Sequence, residues 1–143
     1  MSEVVENLLG SIPTGEIIKD PREGDHGDAN IKAVELVEQS NGKALKITYG
    51  NLSDTNGRDF EHQERLTIPN SSSHEAVQRI FLAACHNLEI VPRSMRKTIL
   101  ADTDQDCETI HQAFASKVGI TLNIRLRPDK DGYLKSSFLR RKG

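Results

Sequence analysis

The stretch KVGITLNIRLRP, residues 117–128, alternates apolar and polar side chains along its length. Val118, Ile120, Leu122, Ile124 and Leu126 hold one parity. Lys117, Thr121, Asn123, Arg125 and Arg127 hold the other, with Gly119 among them. Successive side chains of a strand point to opposite faces, so this spacing predicts a strand with one aliphatic and one polar, basic face. The aliphatic face belongs on a core. The basic face is free to meet water or a polyanion.

Just beyond it, Asp129-Lys130-Asp131-Gly132 is a hairpin turn and Tyr133–Arg140 reads as the closing strand, followed by Arg141-Lys142. Upstream, Ala29–Gln39 and Ala44–Leu52 are two further strands joined by Ser40-Asn41-Gly42-Lys43. Phe60–Ile68 is a third, after Asp54-Thr55-Asn56-Gly57. In that third strand His62 and Glu64 fall on the parity of Phe60, Leu66 and Ile68. The reading is a bulged strand, or one whose first half is exposed. Between the third and fourth strands the pattern turns helical. Ser72 and Glu75 match a capping box, and Val77, Ile80, Phe81, Ala84 and Leu88 form one helical face that stops by Pro92. Ser94–Leu100 reads as a further short helical turn. A second capped helix starts near Thr103 or Asp104, with Cys107, Ile110, His111 and Phe114 facing the core. At the front, residues 2–10 read as a short amphipathic helix carrying Val4, Val5, Leu8 and Leu9. Asp20–Asp28, DPREGDHGD, reads as a loop.

The order is therefore three strands, a helical insertion at about 72–116, and two strands. It lacks the strand–helix alternation of a parallel α/β fold. It is the order of a five-stranded antiparallel barrel of the OB type, mainly β with a helical insertion. A two-layer α+β sheet is the alternative. Residues 1–28 form an N-terminal extension and loop, and 29–143 the OB-like domain.

At 143 residues the chain fits one domain with a real core. The net charge is −2, but its distribution is uneven. Residues 117–143 hold eight Lys and Arg against two Asp and Glu, while residues 1–116 hold eleven against nineteen. Such asymmetry can focus an anion on one region of an otherwise acidic protein. Two cysteines, Cys85 and Cys107, form no disulfide framework, which fits a reducing cytoplasm. No apolar run approaches the ~20 residues of a membrane span. The acidic N-terminus lacks a signal-peptide core, so neither secretion nor membrane anchoring is expected.

Patterns that carry chemistry fail one by one. Asp102, Asp104 and Asp106 begin like a calcium loop, but Cys107 and Ala113 stand where its glycine and bidentate glutamate belong. Cys85-His86 and Cys107 with His111 are not two close pairs of zinc ligands, and both cysteines continue helix apolar faces. No phosphate-binding glycine loop, nucleophile elbow or metalloprotease motif occurs. The expectation is a protein without catalytic residues, metal or cofactor.

What remains is a binding surface. Single-strand binders join a basic groove to aromatic platforms. Lys117, Asn123, Arg125 and Arg127 on the fourth strand, with Tyr133, Lys135 and Arg140 on the fifth, are the candidate set. Tyr49 shares parity with Leu45 and Ile47, so its ring is expected in the core.

Together, IPTGE at 12–16, GKALKITY at 42–49, NGRDF at 56–60 and KVGITLNI at 117–124 resemble a family of phage-encoded proteins. Its members are proposed OB-fold single-stranded-DNA-binding proteins of replication and recombination modules. The resemblance spans roughly residues 12–140. It implies a non-catalytic binder of single-stranded DNA, or RNA, working in a host cytoplasm as an oligomer or with a phage protein partner. Two departures stand out: a basic rather than acidic C-terminus, and a large helical insertion. An alternative from another class is a virion or replisome assembly module that binds protein chains. A metal-dependent nuclease ranks third.

Overall fold

The computed structural model describes residues 20–40, 42–91 and 99–138. The helix read over 2–10, most of the turn read over 94–100, and the basic tail from Arg140 lie outside the described residues. The elements are β1 (Gly24–Gln39), β2 (Gly42–Ser53), β3 (Asp59–Thr67), α1 (Glu75–Asn87), α2 (Asp104–Ala115), β4 (Thr121–Pro128) and β5 (Leu134–Phe138). All five strands join one antiparallel sheet in the order β3-β2-β1-β4-β5. The architecture is mainly β, a curled half-barrel of OB-like topology with a helical insertion, as the pattern predicts.

β1 organises the sheet. Its second half pairs with β2 from Asn30↔Gly50 to Gln39↔Gly42, and its first half pairs with β4 from Gly24↔Leu126 to Asn30↔Thr121. Breaks in register between His26 and Ala29, and between Ile31 and Ala33, let one strand serve both partners, because bulges bend a strand and raise its twist. The stretch read as a loop is thus strand from Gly24 onward. Its glycines and aspartates mask a strand because the pairing partner, β4, lies about a hundred residues away and leaves no local signal.

β4 starts at Thr121, four residues later than the alternation suggests. The amides of Lys117 and Val118 bond to the carbonyls of Phe114 and Ala115, so both residues belong to the tight turn that follows α2. Gly119, at φ +95°, then swings the chain into the sheet, and its amide reaches Ile31 O at 2.8 Å. Val118 is consequently 46% exposed rather than inward. From Thr121 the alternation holds: Leu122, Ile124 and Leu126 are buried in a core shared with Ile31, Leu45, Tyr49, Phe81 and Phe114.

The helix ends also differ in part. α2 is capped by Thr103, whose Oγ1 accepts from the Asp106 amide. α1 begins later than the capping box implies, with His74 at the cap and no side-chain cap bond. Ser72 is held instead by Asn70 Oδ1 through both its amide and its hydroxyl. α1 stops at Asn87, before Pro92, and Glu89 just beyond it takes a left-handed φ of 58°. Ile80, expected in the core, is 64% exposed. His111 does face inward, and its Nε2 bonds to Val34 O at 2.9 Å, pinning α2 to β1.

His62 and Glu64 do not expose β3. Both point inward, and the bulge lies on β2 instead, between Tyr49 and Leu52, where Asn51 has φ 56°. The His62 ring stacks on Tyr49 at 6.1 Å between centroids. Its Nε2 lies 3.3 Å from Glu64 Oε1. The Glu64 carboxylate also accepts the Ser136 amide at 2.7 Å and the Ser136 hydroxyl. β3 and β5 are the two ends of the sheet. Glu64 therefore ties one end to the other and closes the curl.

Burial alone would push the Glu64 carboxyl up, but the bonds from His62 and Ser136 outweigh it and hold the group below its ordinary 4.5. A depressed folded value means the latch contributes fully above the unfolded value and is lost as pH falls through the folded one. Glu64→Ala is expected to cost about 2 kcal/mol, since bonds to a charged acceptor are worth ~1.5–3 kcal/mol. Urea unfolding of Glu64→Gln should show a deficit at neutral pH that shrinks as pH drops below about 4.5. A deficit independent of pH would assign the loss to shape rather than charge.

Candidate nucleic-acid interface

The outward side chains of β4 and β5 follow from register. Arg125 faces Ser137 and Arg127 faces Lys135 across the strand pair. Tyr133, just ahead of β5, shares the parity of Lys135 and is 71% exposed. The turn between the strands is built by Asp129. Its Oδ1 accepts the amides of Asp131 and Tyr133, its own amide bonds to Tyr133 O, and Gly132 at φ +88° completes the reversal. Asp54 and Gly57 build the β2–β3 turn in the same way, with Asp54 Oδ1 accepting from Asn56 and Arg58. The hairpin tip is thus rigidly made, and it presents Lys130 and Tyr133.

The candidate cations do not share one environment. Arg125 is engaged: its Nε and Nη2 donate to the two oxygens of Asp25 on β1 at 2.5 and 3.0 Å. This fork neutralises it. The guanidinium holds the Asp25 carboxyl below the usual range, with smaller help from Arg127 and His26. Arg127 and Lys135 have no carboxylate within ion-pair distance among the described residues. Two like charges directly opposite cost roughly 0.2–1 kcal/mol relative to a neutral pair. Lys117 sits apart from this face, in the turn that follows α2. Asn123 points outward beside Gly27, where a Cβ would stand 3.4 Å from its Oδ1. Arg140 is outside the described residues. The structure therefore brings Arg127, Tyr133 and Lys135 together, with Asn123 and the paired Arg125 further along the same face.

The outer face of β1–β3 carries cations too, but most already have partners. Lys46 lies 3.9 Å from Glu35, and Lys32 meets Glu61. The Lys32 stem crosses Gly50 so closely that a Cβ there would come within 2.3 Å of its Cδ. Tyr49 is 1% exposed, as its parity predicts, and burial pushes its phenol up. Its ring is unavailable for stacking on a ligand. Asp25 escapes a reading of the sequence because it lies in the stretch that resembles a loop, and only its β4 neighbour reveals its role.

Both cysteines are buried, and burial pushes the Cys85 thiol up to about 12. Among the described residues no cluster of three His, Cys, Asp or Glu side chains has the geometry to hold a metal ion. No described helix is long and apolar enough to cross a membrane. No family model, curated protein or solved structure matches the chain. The fold thus stands as an OB-like half-barrel on its own topology.

The Asp25–Arg125 fork is directly measurable. A carbon-detected NMR titration should place the Asp25 carboxyl below 3.8, and Arg125→Ala should return it toward that value. An unchanged midpoint in the variant would dissolve the fork.

Proposed function

We propose that this OB-like domain binds single-stranded nucleic acid, without catalysis, along the outer face of the β4–β5 hairpin. The observation that carries the reading is the directly opposed Arg127 and Lys135, unpaired among the described residues, with the exposed Tyr133 ring on the same parity. A phosphate between the two cations removes their mutual repulsion and supplies charge-assisted hydrogen bonds. The ring beside them offers a platform on which a base of any identity stacks, worth about 1–3 kcal/mol. Asn123 extends the track with a neutral donor. Arg140 lies beyond β5 in sequence and lengthens the basic stretch. Lys117 makes a peripheral contact, since it lies in the turn that follows α2. DNA is the ligand that the family resemblance favours.

Asp25 sets the strength of this face. By neutralising Arg125 it limits the phosphate contacts to a few. With Arg127, Lys130 and Lys135 engaged, the slope of log affinity against log salt on a single strand should be about −2. Fluorescence anisotropy with labelled oligo-dT and oligo-U tests the reading. Arg127→Glu with Lys135→Glu should abolish binding, and Tyr133→Ala should weaken it about 5- to 150-fold, the equivalent of one stacked base. Asp25→Asn should tighten it and steepen the salt slope by freeing Arg125. Wild-type protein that leaves both oligonucleotides unshifted would overturn the reading. If that protein also scattered light as a large assembly, it would favour a module that binds other protein chains.

A further inference from the structure

The two ends of the sheet meet at Glu64 but do not seal along their whole length. Between them and α1 lies a groove of about 560 Å³, within the range of roughly 300–1,000 Å³ that small-molecule sites occupy. Ile47 and Leu66 of the sheet and Val77, Ile80 and Ala83 of α1 give it aliphatic walls. Ile80 is 64% exposed, although its helical spacing marks it as a core residue. Arg65 and Lys135 also border the groove, but they sit on the outward parity of β3 and β5. Glu64 lines it from the inward parity. Its side chain is 19% exposed, and the groove is where that exposure opens. A carboxylate offers about four lone-pair sites. Oε1 accepts from the His62 ring and the Ser136 amide, and Oε2 accepts only from the Ser136 hydroxyl among the described residues. One acceptor site of a largely buried anion therefore remains open within an aliphatic groove.

We propose that this groove binds an aliphatic primary amine as its ammonium ion. The ammonium group donates to Glu64 Oε2, and the alkyl body lies against Val77, Ile80 and Ala83. Charge selects this ligand over others of the same shape. A carboxylate partly withdrawn from water gains most from a donor that is itself charged. An alcohol supplies a donor without charge, and a carboxylic acid of the same length sets a second anion against Glu64. An alkylammonium group loses its proton only near about 10.4, so it carries its charge at neutral pH. The bound ligand adds a further donor to the carboxylate that ties β3 to β5, and so it strengthens the closure of the sheet. The inference does not depend on nucleic-acid binding, and its test contains no oligonucleotide.

Hexylamine, hexanol and hexanoate are titrated separately into isotopically labelled full-length protein at neutral pH. The NMR signals of the backbone amides and of the Glu64 carboxyl are followed. Hexylamine should shift the Glu64 carboxyl and the Ser136 amide saturably, and bind about ten-fold tighter than hexanol, because hydrogen bonds between two charged groups are the stronger kind. Hexanoate should leave both signals in place. Ala83 is exposed on α1, so Ala83→Trp narrows the groove without replacing any partner of Glu64. That variant should keep the ligand-free position of the Ser136 amide and lose the response to hexylamine. Glu64→Gln should bring hexylamine and hexanol to equal affinity. Should that variant fail to fold, the hexanol comparison and Ala83→Trp decide the matter without it. Hexanol or hexanoate binding as tightly as hexylamine would overturn the proposal. So would hexylamine shifts that never saturate, or that survive Ala83→Trp.

Discussion

One carboxylate holds this fold closed. The sheet has two ends, β3 and β5, that backbone pairing leaves apart. Glu64 reaches across from β3 to accept both the amide and the hydroxyl of Ser136 on β5. A buried charge is costly unless it is well supplied with donors, and Glu64 is supplied by Ser136 and by His62. His62 is in turn held flat against Tyr49. The chain thus accepts a polar cluster inside an otherwise aliphatic core. In exchange it gains a connection that apolar packing does not provide: a directional bond that fixes which part of β5 meets which part of β3.

The proposed binding face borders that closure. Ser136 points inward to Glu64, so its neighbours Lys135 and Ser137 point outward on the strand's other parity. The same latch that sets the curl sets the face on which Lys135 meets Arg127. On the far side of the closure, α1 stands off from the sheet ends and leaves the groove whose wall includes Ile80. The basic hairpin face and the apolar groove share Lys135 as a common border residue.

The sequence was legible wherever a pattern was local. The turns at Asp54–Gly57 and Asp129–Gly132 showed themselves because their aspartates and glycines act on amides two to four residues away. The alternation of Leu122, Ile124 and Leu126, and the burial of Tyr49, followed from period two. What stayed hidden depended on partners distant in the chain. Gly24–Asp28 is strand only because β4 comes to lie beside it. Arg125 looked like a free cation because Asp25 is a hundred residues off. His62 and Glu64 looked like a spoiled face because the residue that rationalises them, Ser136, follows 72 positions after Glu64. Lys117 and Val118 fitted two periods at once, and the carbonyls of the preceding helix claimed them.

The division of β1 between two partners has a consequence for how the chain reaches its native state. β1, β2 and β3 pair through short turns, and such local contacts form early. β4 must arrive from far along the chain, after the helices, and closing so long a loop is slow. Until it does, the first half of β1 stands as an open edge, the kind of surface through which partly folded chains stick to one another. That half reads Gly24-Asp25-His26-Gly27-Asp28. Glycine lowers its tendency to hold an extended shape, and its two carboxylates repel a second copy of itself. The composition that disguises this segment as a loop also protects the nascent protein while its proper partner is still missing.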